Sequence, residues 1–119
     1  MTDYYAVIGN PVDHSISPLI HEAFALQTGE DIAYNRIFCE LDSFTDTVNK
    51  FFIKGGSGLN VTLPFKTQAY AMSKKISDYA KISNSVNTLT IREGEIFGDS
   101  TDGIGLIKDL CINNKFNLN

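Results

Sequence analysis

The stretch GLNVTLPFK, residues 58 to 66, begins as a short apolar strand and then sets Asn60, Thr62 and Lys66 close together around a proline. If Pro64 opens a helix, Lys66 falls in its first turn, where the partial positive charge of the helix N-terminus disfavours a cation. Stability alone would put a lysine at the other end, and residues adverse to local structure are expected mainly where chemistry is done. A lysine so placed can hand a proton to an oxygen that gains charge and take it back in reverse. Its obvious titrating partner among the polar residues that the same architecture collects is Asp102.

The elements that would position these groups can be read along the chain. YYAVIGNP starts with a continuous apolar run closed by Gly9, Asn10 and Pro11, the pattern of a strand buried on both faces. SPLIHEAFALQTG offers Ser17 as N-cap, Pro18 at the first helical position, apolar Leu19, Ile20, Ala23 and Phe24 at helical spacing, and Gly29 as the stop. Residues 33 to 41, AYNRIFCEL, are β-branched and aromatic enough for a second strand. Asp42 or Ser43 then caps a helix in which Phe44, Val48, Phe51 and Phe52 share a face and Gly55 follows the end. GLNV is the third strand and PFKTQAYAM its following helix; Ser77 to Ile82 can form another short one. VNTLTI and IFGD flank REGE in a hairpin that turns at Gly94, and Thr101 or Asp102 can cap a last helix to about Leu110. The class is α/β: a three-layer open sheet, mostly parallel with one antiparallel strand, and helices on both faces.

In such a sheet ligands bind in the crevice outside the carboxyl ends of the strands. Asn10, His14, Ser15 and Ser17 follow the first strand; Asn60, Thr62 and Lys66 border the end of the third; Asn87, Thr101 and Asp102 belong to the later strands. Nearly all are hydroxyls or amides, a lining suited to a neutral or singly anionic polyhydroxylated small molecule. Bland readings exist for each residue taken singly. Ser17 reads more simply as an N-cap, His14 and His21 as turn and surface histidines, Asn60 and Asn87 as strand-end amides bonded to backbone, and Asp102 as an acid in a helix's first turn. Those readings leave unexplained why all of these groups gather at one edge of one sheet.

Composition excludes several other classes. At 119 residues with 43% hydrophobic and 20% charged residues, the chain is about one ordinary globular domain, short for a complete two-substrate enzyme. A net charge of −4 without clustered Lys and Arg argues against nucleic acid. There is no signal-peptide pattern at the start and no apolar run of membrane-spanning length, which points to a cytoplasmic protein. Cys39 and Cys111 lack metal-ligand or CxxC spacing and read as small buried hydrophobes, and the sequon NVT at 60 to 62 reads as chance.

GNPVDHSISPLIH (9 to 21), GLNVTLPFK (58 to 66), VNTL (86 to 89) and GDSTDGIG (98 to 105) resemble, in order and spacing, the signature blocks of shikimate dehydrogenases, specifically their amino-terminal, substrate-binding domain. The resemblance implies NADP-dependent, metal-free reduction of 3-dehydroshikimate to shikimate in aromatic amino-acid biosynthesis, and a homodimer as the assembly open to the full-length protein. It further implies that Ser15 and Ser17 bond the substrate carboxylate, that Asn60, Thr62, Asn87 and Asp102 hold ring hydroxyls, and that Lys66 and Asp102 are the catalytic pair beside the reacting oxygen. Two positions depart from the pattern: Asn84 and Ser85 stand where the family has Gly-Ala, and Ser100 where it has Asn. The first departure touches the turn before VNTLTI, since Asn takes φ > 0 less readily than Gly.

The family's second domain, a Rossmann unit with a glycine-rich phosphate turn, has no counterpart in the 119 residues; GGSGLN at 55 to 60 precedes a strand instead of opening a helix after one. The expectation is therefore a substrate-binding half, residues 1 to 119, with the cofactor-binding domain lying outside it and no turnover by this half alone. Two other readings compete: a quinate or mixed quinate/shikimate dehydrogenase, and a stand-alone ligand-sensing module, against which the retained Lys66 and Asp102 argue.

Overall fold

Strand alternation decides this architecture. In GLNV, Leu59 and Val61 turn to one side of the sheet and pack into a core with Ala6, Ile8 and Leu89, while Asn60 turns to the other. The structure is a computed structural model that describes residues 2–15 and 17–100, without the side chains of Ser17 and Phe24. Along the chain run β1 (Asp3–Gly9), α1 (Ser17–Thr28), β2 (Ile32–Phe38), α2 (Phe44–Ile53), β3 (Gly58–Val61), α3 (Lys66–Met72), β4 (Lys75–Ile76), α4 (Asp78–Ser83), β5 (Thr88–Arg92) and β6 (Glu95–Asp99).

The sheet has the order β2-β1-β3-β5-β6-β4. β1 pairs in parallel with β2 and β3, and β4 in parallel with β6, whereas β5 is antiparallel to both β3 and β6. A single antiparallel strand in a mostly parallel sheet is the arrangement expected from the alternating pattern and the one hairpin. The hairpin turns at Glu93 and Gly94, both with positive φ (54° and 81°), the conformation whose twist matches the flanking strands.

Helices cover both faces. α1 packs over β1 and β2, above a small cluster of Val7, Val12 and Tyr34. On the opposite side Phe44 and Val48 of α2, Phe65 and Ala69 at α3, and Ala80 of α4 close over Ala6, Ile8, Leu59, Val61, Val86 and Leu89, most of them wholly buried. No described helix is long and apolar enough to cross a membrane.

Several boundaries differ from the sequence reading, each for a local reason. β2 stops at Phe38 instead of 41: the Cys39 N–H makes the last bond to β1, to the Gly9 carbonyl at 3.3 Å, and the chain then turns, the Ser43 N–H bonding Glu40 O at 3.1 Å. α3 starts at Lys66 instead of Pro64, because the Phe65 N–H bonds the Thr62 carbonyl at 3.1 Å and closes a turn that contains the proline. Ser43 does precede α2, but its hydroxyl makes no capping bond and instead donates to Asp42 at 3.3 Å; Ser77 caps α4 by accepting the Ala80 N–H at 3.2 Å. α1 already includes Ser17, which makes Pro18 the second helical residue. β4 is too short to leave a pattern in the sequence. The helix expected from Thr101 or Asp102 to Leu110, and Cys111, lie outside the described residues.

Candidate functional site

The carboxyl ends of β1, β3 and β6 meet the amino end of β5 at one edge of the sheet, and backbone bonds lock them together. Thr62 N–H donates to Ile8 O (3.0 Å), Asn10 N–H to Leu63 O (3.1 Å), Val61 N–H to Asn87 O (2.7 Å) and Asn87 N–H to Asp99 O (2.9 Å). Asn60, Thr62, Lys66 and Asn87, separated in sequence, therefore share one rim. Val86 N–H bonds the Lys66 carbonyl at 3.1 Å, so the first residue of α3 is tied to the segment that delivers Asn87.

Lys66 stands immediately after Phe65, which is fully buried and stacks on Phe44 with centroids 4.9 Å apart and planes 16° from parallel. The lysine thus projects from a backbone anchored in the dry core, which limits how far its base can wander. Asn87 is 7% exposed and accepts the Thr88 hydroxyl on its Oδ1 at 3.0 Å. Thr62 has its methyl against Gly9: a Cβ added at position 9 would lie 2.3 Å from Thr62 Cγ2. Glycine at the end of β1 is what lets β3's extension come this close.

The loop after β1 brings Ser15 to the same end of the sheet. Its N–H bonds Val12 O at 3.1 Å, and its carbonyl accepts two bonds from the Arg36 guanidinium, from Nε at 2.9 Å and Nη2 at 2.6 Å. Arg36 was not foreseen as part of this arrangement. Tyr34, Arg36 and Phe38 alternate on one side of β2, but Arg36 is exposed and only the fold brings the Ser15 carbonyl within its reach. A second residue missed is Asp99, whose Oδ1 accepts from Ser77 Oγ (2.6 Å) and the Ser100 N–H (2.8 Å), fixing how the chain leaves β6 toward Asp102. Asp102 itself lies outside the described residues, as does the Ser17 side chain. Asn10, placed at the end of β1 with the other polar residues, is committed to backbone, its Nδ2 donating to Cys39 O at 3.1 Å. His14 is exposed in a turn as expected, whereas His21 is half-buried and stacks on Tyr34 at 4.4 Å.

A cleft of about 350 Å³ opens on the α1 side of the sheet, lined by Tyr5, His21, Tyr34, Asn60, Thr88 and Thr90 among others. Of the expected ligand contacts, Asn60 lines it, while Ser15, Thr62, Lys66 and Asn87 do not. Its walls are mainly apolar, and Asn60 joins it to the neighbouring rim on which the backbone bonds gather Thr62, Lys66 and Asn87.

The departure at position 84 is accommodated. Asn84 takes the left-handed conformation (φ 53°, ψ 32°) that suits a glycine, at the end of α4, and the following segment continues into Asn87 and β5.

A family model described as the shikimate dehydrogenase substrate binding domain matches residues 7–89. The chain belongs to this family. It is 51% identical over 113 residues to the shikimate dehydrogenase (NADP(+)) of Chromobacterium violaceum, an alignment covering 95% of this chain and 41% of that protein. The crystal structure of an Ael1 enzyme from Pseudomonas putida superposes with a TM-score of 0.93 at 39% identity, over 95% of this chain and 42% of that one. Shikimate 5-dehydrogenase from Listeria monocytogenes, solved in complex with shikimate and NAD, gives a TM-score of 0.89 at 29% identity, over 95% and 39%. The chain thus spans about two fifths of the length of such shikimate dehydrogenases.

The glycine cluster at 55 to 58 does not fit a dinucleotide. A Cβ at Gly56 would lie 2.1 Å from the Phe51 ring, and one at Gly58 3.0 Å from the Tyr5 ring. These glycines make room for aromatic rings, and they lead into a strand, so they form no phosphate cradle at a helix start.

Proposed function

We propose that this chain is the substrate-binding part of an NADP-dependent shikimate dehydrogenase, an oxidoreductase that interconverts 3-dehydroshikimate and shikimate in the cytoplasmic route to the aromatic amino acids. The observation that carries the reading is the convergence of Asn60, Thr62, Lys66 and Asn87 on one rim of the sheet, held by the backbone bonds among β1, β3, β5 and β6. Membership of the substrate-binding-domain family supports it.

In this reading Ser15 and Ser17 receive the carboxylate, while Asn60, Thr62, Asn87 and Asp102 receive ring hydroxyls. Reducing a ketone to an alcohol adds a hydride to carbon and a proton to oxygen. The residues of this chain account for the proton: Lys66, paired with Asp102, donates it to the C3 oxygen and takes it back on oxidation. In this reading the dinucleotide is held mainly outside the described residues, in keeping with a glycine cluster at 55 to 58 that makes room for aromatic rings and leads into a strand. Rigid placement of the substrate against the lysine is the chain's own catalytic contribution.

The test is a two-dimensional NMR titration of the 119-residue chain with shikimate, repeated on Lys66→Ala. Saturable shifts are expected at Ser15, Thr62, Asn87 and Asp102, with affinity weakened in the variant. Absence of saturable shifts at millimolar shikimate would overturn the claim that this chain holds the substrate.

A further inference from the structure

Asn60 is a side chain with two chemically opposite ends, and which end meets a ligand decides what it can recognise. Its Oδ1 is occupied: the Tyr34 hydroxyl donates to it at 2.5 Å, reaching from edge strand β2 across β1 to β3. The side chain makes no other hydrogen bond among the described residues, so its amide N–H groups remain for whatever enters from the cleft that Asn60 lines. Tyr34 is itself fixed, being 4% exposed and lying flat against His21 of α1 with planes 13° apart.

We propose that Tyr34 is a positioning residue that anchors the Asn60 side chain through its Oδ1, leaving the amide N–H groups toward an oxygen of the bound substrate. The inference deepens the shikimate reading and rests on it. Without that anchor the side chain can sample other rotamers, in which its N–H groups no longer face the ligand. Anchored, it has little rotamer freedom left to lose when the ligand binds. Stacking on His21 adds a connection to α1, so helix, edge strand and central strand share in holding one amide.

The test uses Tyr34→Phe, which keeps the ring and its stack and removes only the hydroxyl. Without any ligand, the Asn60 side-chain NH₂ resonances of the 119-residue chain should shift in the variant. With shikimate, the dissociation constant should rise about three- to tenfold, the range for loss of one hydrogen bond. In an Asn60→Ala background the same Tyr34→Phe change should be silent to within about twofold, because a residue that acts only through Asn60 has nothing left to act on. An equal loss of affinity in both backgrounds, or unmoved Asn60 resonances, would overturn the proposal. Should the parent chain bind no shikimate, the substrate reading fails, and the ligand-free resonances still decide whether Tyr34 clamps Asn60.

Discussion

The two faces of this sheet are built from the same strands to opposite ends. Beneath α2, α3 and α4 the residues are apolar and almost wholly buried: Phe44, Val48, Leu59, Phe65, Val86 and Leu89 leave no polar group to satisfy. Beneath α1 the buried cluster shrinks to Val7, Val12 and Tyr34, and a hydroxyl, an amide and an imidazole enter the packing. Because side chains alternate along a strand, Leu59 and Val61 secure β3 to the closed face while Asn60, between them, serves the open one. The difference shows where the site's precision comes from: polar groups on a thin face are held by the dense packing behind them.

If so, the closed face should dominate stability even at positions beside the site. Phe65→Ala should cost about 3 to 5 kcal/mol, the usual range for emptying a buried phenyl site, and bring a domain of ordinary stability close to unfolding. Leu63→Ala, two residues earlier but 71% exposed, should cost less than about 0.5 kcal/mol. Urea titrations of the pair measure the contrast; similar midpoints would mean that Phe65 does not anchor Lys66 through the core.

The next effect concerns contact between the faces' products at the rim. Gly9→Ala would press its methyl on Thr62 Cγ2 and should cost about 1 to 3 kcal/mol, since threonine is stiff at χ1 and cannot simply swing away. Thr62→Ser in the same background removes the clashing methyl, and most of the lost stability should return. Failure of that rescue would place the strain in the backbone oxygens of Pro11 and Leu63, each 3.3 Å from the added carbon. Arg36→Ala tests the open face more gently. Freed of its two bonds to the guanidinium, the Ser15 carbonyl no longer fixes its loop, and shikimate affinity should fall about three- to tenfold with little change in the urea midpoint.

The closed face was legible in the sequence because periodicity reports it directly. The apolar spacing of Phe44, Val48, Phe51 and Phe52, the run in YYAVIG and the hairpin around Gly94 each imply their own burial or turn. Part of the rim was legible too, since Asn60, Thr62 and Lys66 sit at a strand end that the α/β pattern had already located. The contacts among rim residues were not legible. Tyr34 meets Asn60 across β1, at a separation of 26 residues, and Arg36 meets Ser15 across 21. Such pairs exist only once strand order is known, and the sequence states each strand's faces without stating its neighbours. β4, with two residues, carries no period at all.

The smallest expected effect bears on the turn that feeds the rim from α4. Asn84 holds φ near 53°, where most side chains crowd the following carbonyl and lose about 1 to 2 kcal/mol, while asparagine is partly relieved by local hydrogen bonding. Asn84→Gly should therefore raise stability by only a few tenths of a kcal/mol, with the relief of the left-handed conformation offset by the greater freedom glycine brings to the unfolded chain. Asn84→Ala should lower it by about 1 kcal/mol. Neither change alters a group at the rim, so shikimate affinity should hold in both wherever the chain remains folded. A loss of affinity in Asn84→Gly, with stability intact, would mean that the turn's stiffness and not merely its shape sets the position of Asn87, extending the rim's support from the packed face to a loop.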